Sequence, residues 1–328
     1  MKQIGIVGLG LFAQDVHLPS LRILERLRGD FQITALADLR PERLATGGDL
    51  WPEARLYSSA DELRQSEHLD GVFLFTSPGA TAAVGTEFLE SGVPCLLEKP
   101  PGLTFAENRQ LAAAAQRGGT SAFVAFNRRY APITRVACRL MKEFSGPVEQ
   151  VRCDFRRIGR TGEDFSTTAI HGIDTVSFLA GAPIKELEIE RESIPGGENL
   201  RLRARHVNGV RSTLEFLPDS DRQRELYTVI TQNELLELHF PCGTGSGMVR
   251  ILQNSSRREF LLPAAPLKEK NFFYGGYYAE DNRFLTALSA PQLQQNSFEA
   301  FETTATSVAA AEAIRNGLSR QNFSESSG

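Results

Sequence analysis

Gln3–Val7 is a short apolar run that passes directly into Gly8-Leu9-Gly10-Leu11-Phe12-Ala13 and then into helical sequence. No other feature of the chain restricts its fold as much. A buried strand that turns on glycine and feeds a helix belongs to a parallel sheet, because the helix carries the chain back to start the next strand. Gly8 permits the tight turn, and Gly10 lets backbone approach a phosphate group. Ala13 is small enough for the helix to press against the strand. The helix start then offers free N–H groups and a positive dipole end to an anion. Gly8, Leu9, Gly10, Leu11 and Phe12 are therefore the expected cradle of a dinucleotide.

The rest of the first ~120 residues supports this reading through the alternation of strand and helix patterns. Further candidate strands lie at Phe31–Ala37, Val72–Thr76, Val93–Leu97 and Ser121–Ala125, and several are apolar without alternation, as strands covered on both faces should be. Helical patterns lie at Leu11–Arg28, Ala80–Ser91 and Phe105–Arg117, with Pro19 expected to kink or divide the first. Asp38 closes the second strand, where a carboxylate accepts hydrogen bonds from the adenosine ribose and repels a 2′-phosphate. That favours NAD over NADP, although Arg40, two residues on, is placed to accommodate the phosphate. The other reading of Asp38 is a turn cap before Pro41. Thr76-Ser77-Pro78 ends the third strand at the same edge, either lining the cofactor's path or forming a plain hydroxyl turn. Cys95-Leu96-Leu97-Glu98-Lys99-Pro100-Pro101 runs from apolar strand into a proline-bound turn, so Lys99 leaves the sheet in a restricted direction at the edge where substrates bind.

After about Asn127 the pattern changes to alternation. Val151, Cys153 and Phe155 fall on one face, and Arg152, Asp154 and Arg156 on the other. Leu200–Arg205 repeats the pattern, and Asn208-Gly209 signals a type I′ hairpin before Val210–Phe216. One apolar and one polar face indicate a mostly antiparallel sheet. Helices are expected at Phe165–Leu179, Tyr277–Leu288 and Ala300–Asn316. The fold class is α/β: a doubly wound parallel-sheet domain over residues 1–122, then an α/β domain with a large, mainly antiparallel open sheet over 123–318. A disordered tail is expected at 319–328.

A chain of 328 residues accommodates two cores, and its 41% apolar and 23% charged residues are ordinary for a globular protein. The net charge of −4 offers no attraction to nucleic acid or an anionic membrane. The four cysteines, Cys95, Cys138, Cys153 and Cys242, have no metal spacing and read as reduced, buried thiols. No metal is expected. The chain opens on a strand rather than a leader pattern, and no apolar run reaches membrane length, so a soluble, cytoplasmic protein is expected.

His171 lies in a helical pattern with Ile170, Ile173, Val176, Phe178 and Leu179, and Asp174 follows it on nearly the same face. With the glycine turn, Glu98-Lys99-Pro100, Phe126-Asn127-Arg128-Arg129-Tyr130-Ala131-Pro132 and His171-Gly172-Ile173-Asp174 before Phe178-Leu179-Ala180-Gly181, the chain resembles the Gfo/Idh/MocA oxidoreductase family over nearly its whole length. The junction and the His-x-x-Asp-Thr segment are most similar to its MviM-like branch. The resemblance implies a Rossmann domain followed by an α/β domain whose open sheet commonly mediates dimerisation. It also implies NAD(P)-dependent interconversion of alcohol and ketone on a sugar, cyclitol or related polyol, in a homodimer or homotetramer.

The chemistry explains the residue types. Hydride leaves a carbinol carbon only as the hydroxyl proton is removed, so a base must reach that oxygen. Lys99 as a cation would stabilise the developing alkoxide, and His171, with an ordinary pKa near 6.5, would exchange the proton. Relatives often carry an aspartate four residues before this histidine, where this chain has Thr167, and a histidine after the Thr-x-Pro turn, where it has Gly79-Ala80-Thr81-Ala82. Either Lys99 and His171 suffice, or Asp164 or Asp174 supplies the carboxylate, or the standard reaction is lost. Arg129 is assigned to the cleft, with a junction salt bridge as its alternative. Arg156, Arg157 and Arg160 are either an anion-recognition group or a solvated strand face. Two other functions stay open: a cofactor-bound regulator without catalysis, and a hydrolase or lyase using NAD transiently.

Overall fold

The computed structural model describes residues 1–161, 164–242, 247–253, 256–262, 270–290 and 304–323. It divides into two compact units, Met1–Asn127 with Asn271–Glu302, and Arg128–Lys270 with Thr303–Gly328.

In the first unit six parallel strands stand in the order β3-β2-β1-β4-β5-β6, where β1 is Lys2–Val7, β2 Phe31–Ala37, β3 Arg55–Tyr57, β4 Gly71–Leu74, β5 Cys95–Leu97 and β6 Ala122–Val124. The order reverses between β1 and β4, which is the switch point of a doubly wound sheet. Helices α1 (Leu18–Arg28), α2 (Pro41–Leu50), α3 (Ala60–Ser66), α4 (Pro78–Glu90) and α5 (Phe105–Arg117) make the crossovers. Residues 11–17 begin as helix and widen into π-helix at Ala13–His17, and α1 takes over with Pro19 in its first turn. A proline there gives up no helical hydrogen bond, so the division expected at Pro19 occurs. The edge strand β3 carries no sequence signal because its three residues are not buried.

The second unit holds a nine-stranded sheet in the order β14-β13-β12-β11-β7-β10-β9-β8-β15. Its strands are β7 (Gln150–Arg156), β8 (Ile184–Ile194), β9 (Gly197–His206), β10 (Arg211–Leu217), β11 (Arg224–Ile230), β12 (Glu234–His239), β13 (Met248–Gln253), β14 (Ser256–Leu261) and β15 (Arg320–Asn322). Among the described residues of this sheet, β7 and β10 pair in parallel and the other neighbours are antiparallel. Helices α6 (Pro132–Met141) and α7 (Ser166–Ala180) belong to this unit. Helix α7 packs on the sheet at Gly172, where a Cβ would lie 2.8 Å from the Phe216 ring and 3.3 Å from Phe155. Twelve of the fifteen α7 residues are buried, polar ones such as His171 and Asp174 among them, so the helix is enclosed on nearly all sides. Cys95 and Cys153 are free, and burial pushes both thiols well above their ordinary range.

Three expectations need correction. A single boundary near residue 122 is replaced by a two-part first unit. Helix α8 (Tyr277–Ala287) returns to it because Phe284, Leu285, Ala287 and Leu288 complete the core of Ile4, Ile6, Phe73 and Leu96. Burying such side chains is worth about 1.5–3 kcal/mol each. The tail expected from residue 319 is not a tail at its start, since Arg320–Asn322 extend the sheet against β8; residues 324–328 lie outside the described residues. The hairpin at Asn208-Gly209 is a three-residue turn, closed by the Gly209 N–H on the His206 carbonyl (2.9 Å) and the His206 N–H on Val210 (2.8 Å). Gly209 supplies the positive φ of +88° at its third position. Of the expected Ala300–Asn316 helix, residues 304–315 (α9) are helical and 300–303 lie outside the described residues.

Candidate active site

The carboxyl edge of the first sheet is stitched by four backbone bonds. Gly8 N–H donates to Ala37, Phe75 to Val7, Glu98 to Leu74 and Ala125 to Leu97, at 2.8–2.9 Å. This line holds Gly8, the Thr76 turn and Lys99 along one edge. Gly8 has φ +90°, and a Cβ there would stand 2.4 Å from the Phe75 carbonyl oxygen, so only glycine fits. Around Gly10 the sole atoms within 4 Å of a Cβ are those of the Arg43 guanidinium, so space is open for an approaching group. Leu11 and Phe12 are exposed at the helix start, Ala13 is buried beneath it, and Gln14 Nε2 donates to the Leu9 carbonyl at 2.7 Å.

Asp38 is tied to this loop. Its Oδ2 accepts the Leu9 N–H at 2.7 Å and its Oδ1 accepts the Arg40 N–H at 2.9 Å. The carboxylate is therefore both the turn cap and the acidic wall of the cradle. Arg40 contributes its backbone, and its side chain is exposed, whereas Arg43 brings Nη1 to 3.9 Å from Asp38 Oδ2. Ser77 precedes Pro78 at the start of α4 without a side-chain cap, and Thr76 Oγ1 meets Thr81 Oγ1 at 2.9 Å. Glu98 is buried and its Oε2 accepts the Lys99 N–H at 2.7 Å, while Lys99 itself is half-buried.

Sequence reasoning missed a buried pair behind the loop. His17 and Asp281 are both fully buried, with Nδ1 and Oδ1 2.9 Å apart. The imidazole stacks on Phe75 at 4.1 Å and meets the edges of Phe12 and Tyr277. Asp281 comes from α8, some 260 residues away, and no local pattern relates it to His17. Within the same unit, Asn127 Nδ2 donates to the Gly275 carbonyl at 2.7 Å, securing the turn before α8.

In the second unit His171 is 7% exposed on α7, and its carbonyl accepts the Thr175 hydroxyl at 2.7 Å. Asp174 and Arg129, expected respectively in catalysis and at the cleft or in a salt bridge, are each other's partner. Arg129 grips both Asp174 oxygens, Nε to Oδ2 at 2.8 Å and Nη2 to Oδ1, and rests over the Phe178 ring at 5.7 Å. Burial pushes the Asp174 carboxyl above its ordinary range, and Arg129 pulls the other way. Asp164 is also committed, accepting from Ser166 N–H (3.0 Å), Ser166 Oγ (2.5 Å) and Arg315 Nε (2.9 Å).

Arg157 departs from the solvated-face reading. It is 8% exposed, lies 3.6 Å over the Phe155 ring, and donates to Glu225 Oε2 at 2.7 Å. Arg128 donates to both oxygens of Glu225 at 3.0 and 3.2 Å, and the Tyr227 hydroxyl adds a bond at 2.6 Å. Burial disfavours the charge on Glu225, but the two arginines hold its carboxyl down at about 2. Arg156 does lie on the solvated face, paired with Asp154 at 2.7 Å. Arg201 and Arg203 likewise pair with Glu215 and Glu190 on an exposed face. Among the described residues no helix is long and apolar enough to cross a membrane, and no three His, Cys, Asp or Glu side chains gather as a metal would require.

Residues 2–126 match the profile of an oxidoreductase family with an NAD-binding Rossmann fold. Among named proteins, the chain is similar to inositol 2-dehydrogenase 2 of Paenarthrobacter aurescens, 29% identical over 56% of this chain and 57% of that one. It is also similar to D-apiose dehydrogenase of Paraburkholderia graminis, 26% identical over 68% and 62%. The matched stretches thus span about 60% of these relatives' length. Among solved structures, a dehydrogenase from Chromobacterium violaceum superposes with a TM-score of 0.81, 20% identity and 96% coverage of both chains. That likeness extends the shared fold to both units.

Proposed function

We propose, for a chain whose first domain belongs to the Gfo/Idh/MocA oxidoreductase family, an NAD(P)-dependent interconversion of a secondary alcohol and its ketone on a sugar, cyclitol or related polyol. The observation that carries this reading is the shared edge. The glycine cradle, the Asp38 wall and Lys99 follow β1, β2 and β5 of one sheet at its topological switch point. Similarity to two dehydrogenases of polyhydroxylated substrates supports the substrate class, and the MviM-like branch is the proposed placement within the family.

The residues fit a dinucleotide. Gly8 makes the turn, Gly10 would leave room for the pyrophosphate beside the N–H groups that open the helix, and Asp38 would accept ribose hydroxyls. When bound, the nicotinamide carries the hydride to or from the substrate carbon. Lys99 holds the substrate oxygen and stabilises negative charge on it. His171 removes the hydroxyl proton during oxidation and returns it during reduction. With Asp164 and Asp174 both committed, this pair is proposed to act without a third carboxylate. Asp174 instead fixes Arg129 beside α7. A homodimer or homotetramer is the proposed assembly.

The test is coenzyme titration followed by assay of a panel of cyclitols, aldoses and their ketones. Reduced nicotinamide accumulating with one polyol supports the reading. Thr167 in place of the usual acid favours the second reading, a coenzyme-bound sensor, which would bind coenzyme and turn over no member of the panel. Product formation without net reduced nicotinamide would instead mark a hydrolase or lyase.

A further inference from the structure

The cluster of Arg128, Glu225 and Arg157 in the second unit holds two cations against one carboxylate. Glu225, wholly buried on β11, accepts four bonds: Arg128 Nε and the Tyr227 hydroxyl on Oε1, Arg128 Nη2 and Arg157 Nη2 on Oε2. The two prongs of Arg128 already match this carboxylate, so the charge of Arg157 is surplus. Among the described residues Glu225 is the one carboxylate within ion-pair distance of Arg157. The other titratable neighbours supply no counter-charge, because burial pushes Tyr227 and Cys153 well above their ordinary ranges and Cys242 up to about 11. All three therefore stay protonated and neutral. The Arg157 side chain is 10% exposed, and a cation so placed has lost hydration without a full partner to replace it.

Arg157 is also held ready for such a partner. Its guanidinium lies 3.6 Å over the Phe155 ring, and Nη1 donates to the Arg156 and Arg224 carbonyls at 2.9 and 3.5 Å. Among the described residues its Nε–H has no acceptor. The cluster adjoins the helix of the proposed proton carrier: Arg128 precedes Arg129, which grips Asp174, one turn from His171 on α7. Burial raises the Asp174 carboxyl, and the charges of Arg129 and Arg128 both oppose it.

We infer that the substrate is a polyhydroxy acid, whose carboxylate binds Arg157 while the hydroxyl beside His171 is the one oxidised. A carboxylate brings one negative charge to one surplus cation, whereas a phosphate monoester brings about 1.5–2. Its two oxygens also suit the edge of a planar guanidinium. The carboxylate is bound and passes through the reaction unchanged. The inference rests on the reading of the chain as a dehydrogenase with His171 as proton carrier, and names the substrate class of that site.

The experiment offers the full-length protein, with NAD present, D-gluconate beside D-glucitol, D-galacturonate beside D-galactose, and glucose 6-phosphate. Melting temperature reads binding, and reduced nicotinamide reads turnover. At least one acid should raise the melting temperature and exceed its neutral counterpart in kcat/KM by about a hundredfold or more, because a site built around a charged group rejects the analogue lacking it. Arg157→Lys keeps the cation and loses the planar fork. KM for that acid should rise about tenfold with kcat within about threefold, and values for the neutral counterpart should hold. Arg157→Gln should remove the preference; if it fails to fold, the wild-type panel and Arg157→Lys still decide. Neutral polyols turned over as well as the acids would overturn the inference and leave the dehydrogenase reading in place. So would a preference for glucose 6-phosphate, or an Arg157→Lys variant that shifts both members of a pair alike. Acids that raise the melting temperature without turnover would sink the dehydrogenase reading and keep the carboxylate site. A panel in which no acid binds or reacts overturns the inference.

Discussion

Arg129 donates from Nε to Oδ2 of Asp174 at 2.8 Å, and the carboxylate it reaches is 0% exposed on a helix that also carries His171. Two residues that sequence spacing assigned to chemistry are thus engaged with each other. Asp174→Asn takes away the carboxylate that both prongs of the guanidinium grip, and breaking such a buried pair costs about 3–5 kcal/mol. Urea denaturation of the variant should show that loss, and the fraction that stays folded should turn over substrate within about tenfold of wild type. A variant of normal stability whose turnover has fallen by three orders of magnitude would return Asp174 to the catalytic list.

The two cradle glycines should separate fold from binding. Gly8→Ala places a Cβ 2.4 Å from the Phe75 carbonyl at φ +90°, and strain of that kind costs about 1–3 kcal/mol before any clash is relieved. Its melting temperature should fall. Gly10→Ala meets nothing closer than the Arg43 guanidinium at 3.6 Å, so its melting temperature should hold while NADH affinity drops by about tenfold or more. Equal stability loss in both variants would contradict this division.

Acid should unfold the second unit partly through Glu225. Its carboxyl is held at about 2 against an ordinary 4.5. Because the folded state lowers the pKa, the stabilisation is complete above about pH 4.5, and it is lost as pH falls toward 2. A shift of that size corresponds to roughly 3 kcal/mol. Glu225→Gln should lose stability at neutral pH and show a flatter slope of unfolding free energy between about pH 5 and 2. A slope identical to wild type would mean that the Arg128–Glu225–Arg157 cluster contributes no proton linkage.

Local regularities explain what was legible in the sequence. Strand β2 and helix α5 have the bounds their patterns indicate, because the apolar residues of β2 are all buried and a Thr104–Glu107 capping box starts α5. The glycine turn was legible because φ and close approach leave glycine no substitute at position 8. The partners of charged groups were not. His17 finds Asp281 and Arg157 finds Glu225 across 264 and 68 positions, and a spacing rule carries no information about such distances. The break of the first unit into two stretches was hidden for the same reason, since Phe284 looks like any amphipathic helix residue until Phe73 is found 5.0 Å away, edge to face.

The central claim is that Lys99 acts on the substrate oxygen rather than on the coenzyme. Lys99→Ala, measured beside wild type for both NADH dissociation constant and kcat on the polyol that the panel identifies, tests it most directly. The account predicts coenzyme affinity within about threefold and a kcat lower by at least about three orders of magnitude, as the loss of a charge-stabilising donor requires. Normal turnover by Lys99→Ala, or a loss of coenzyme binding that matches the loss of rate, would contradict it.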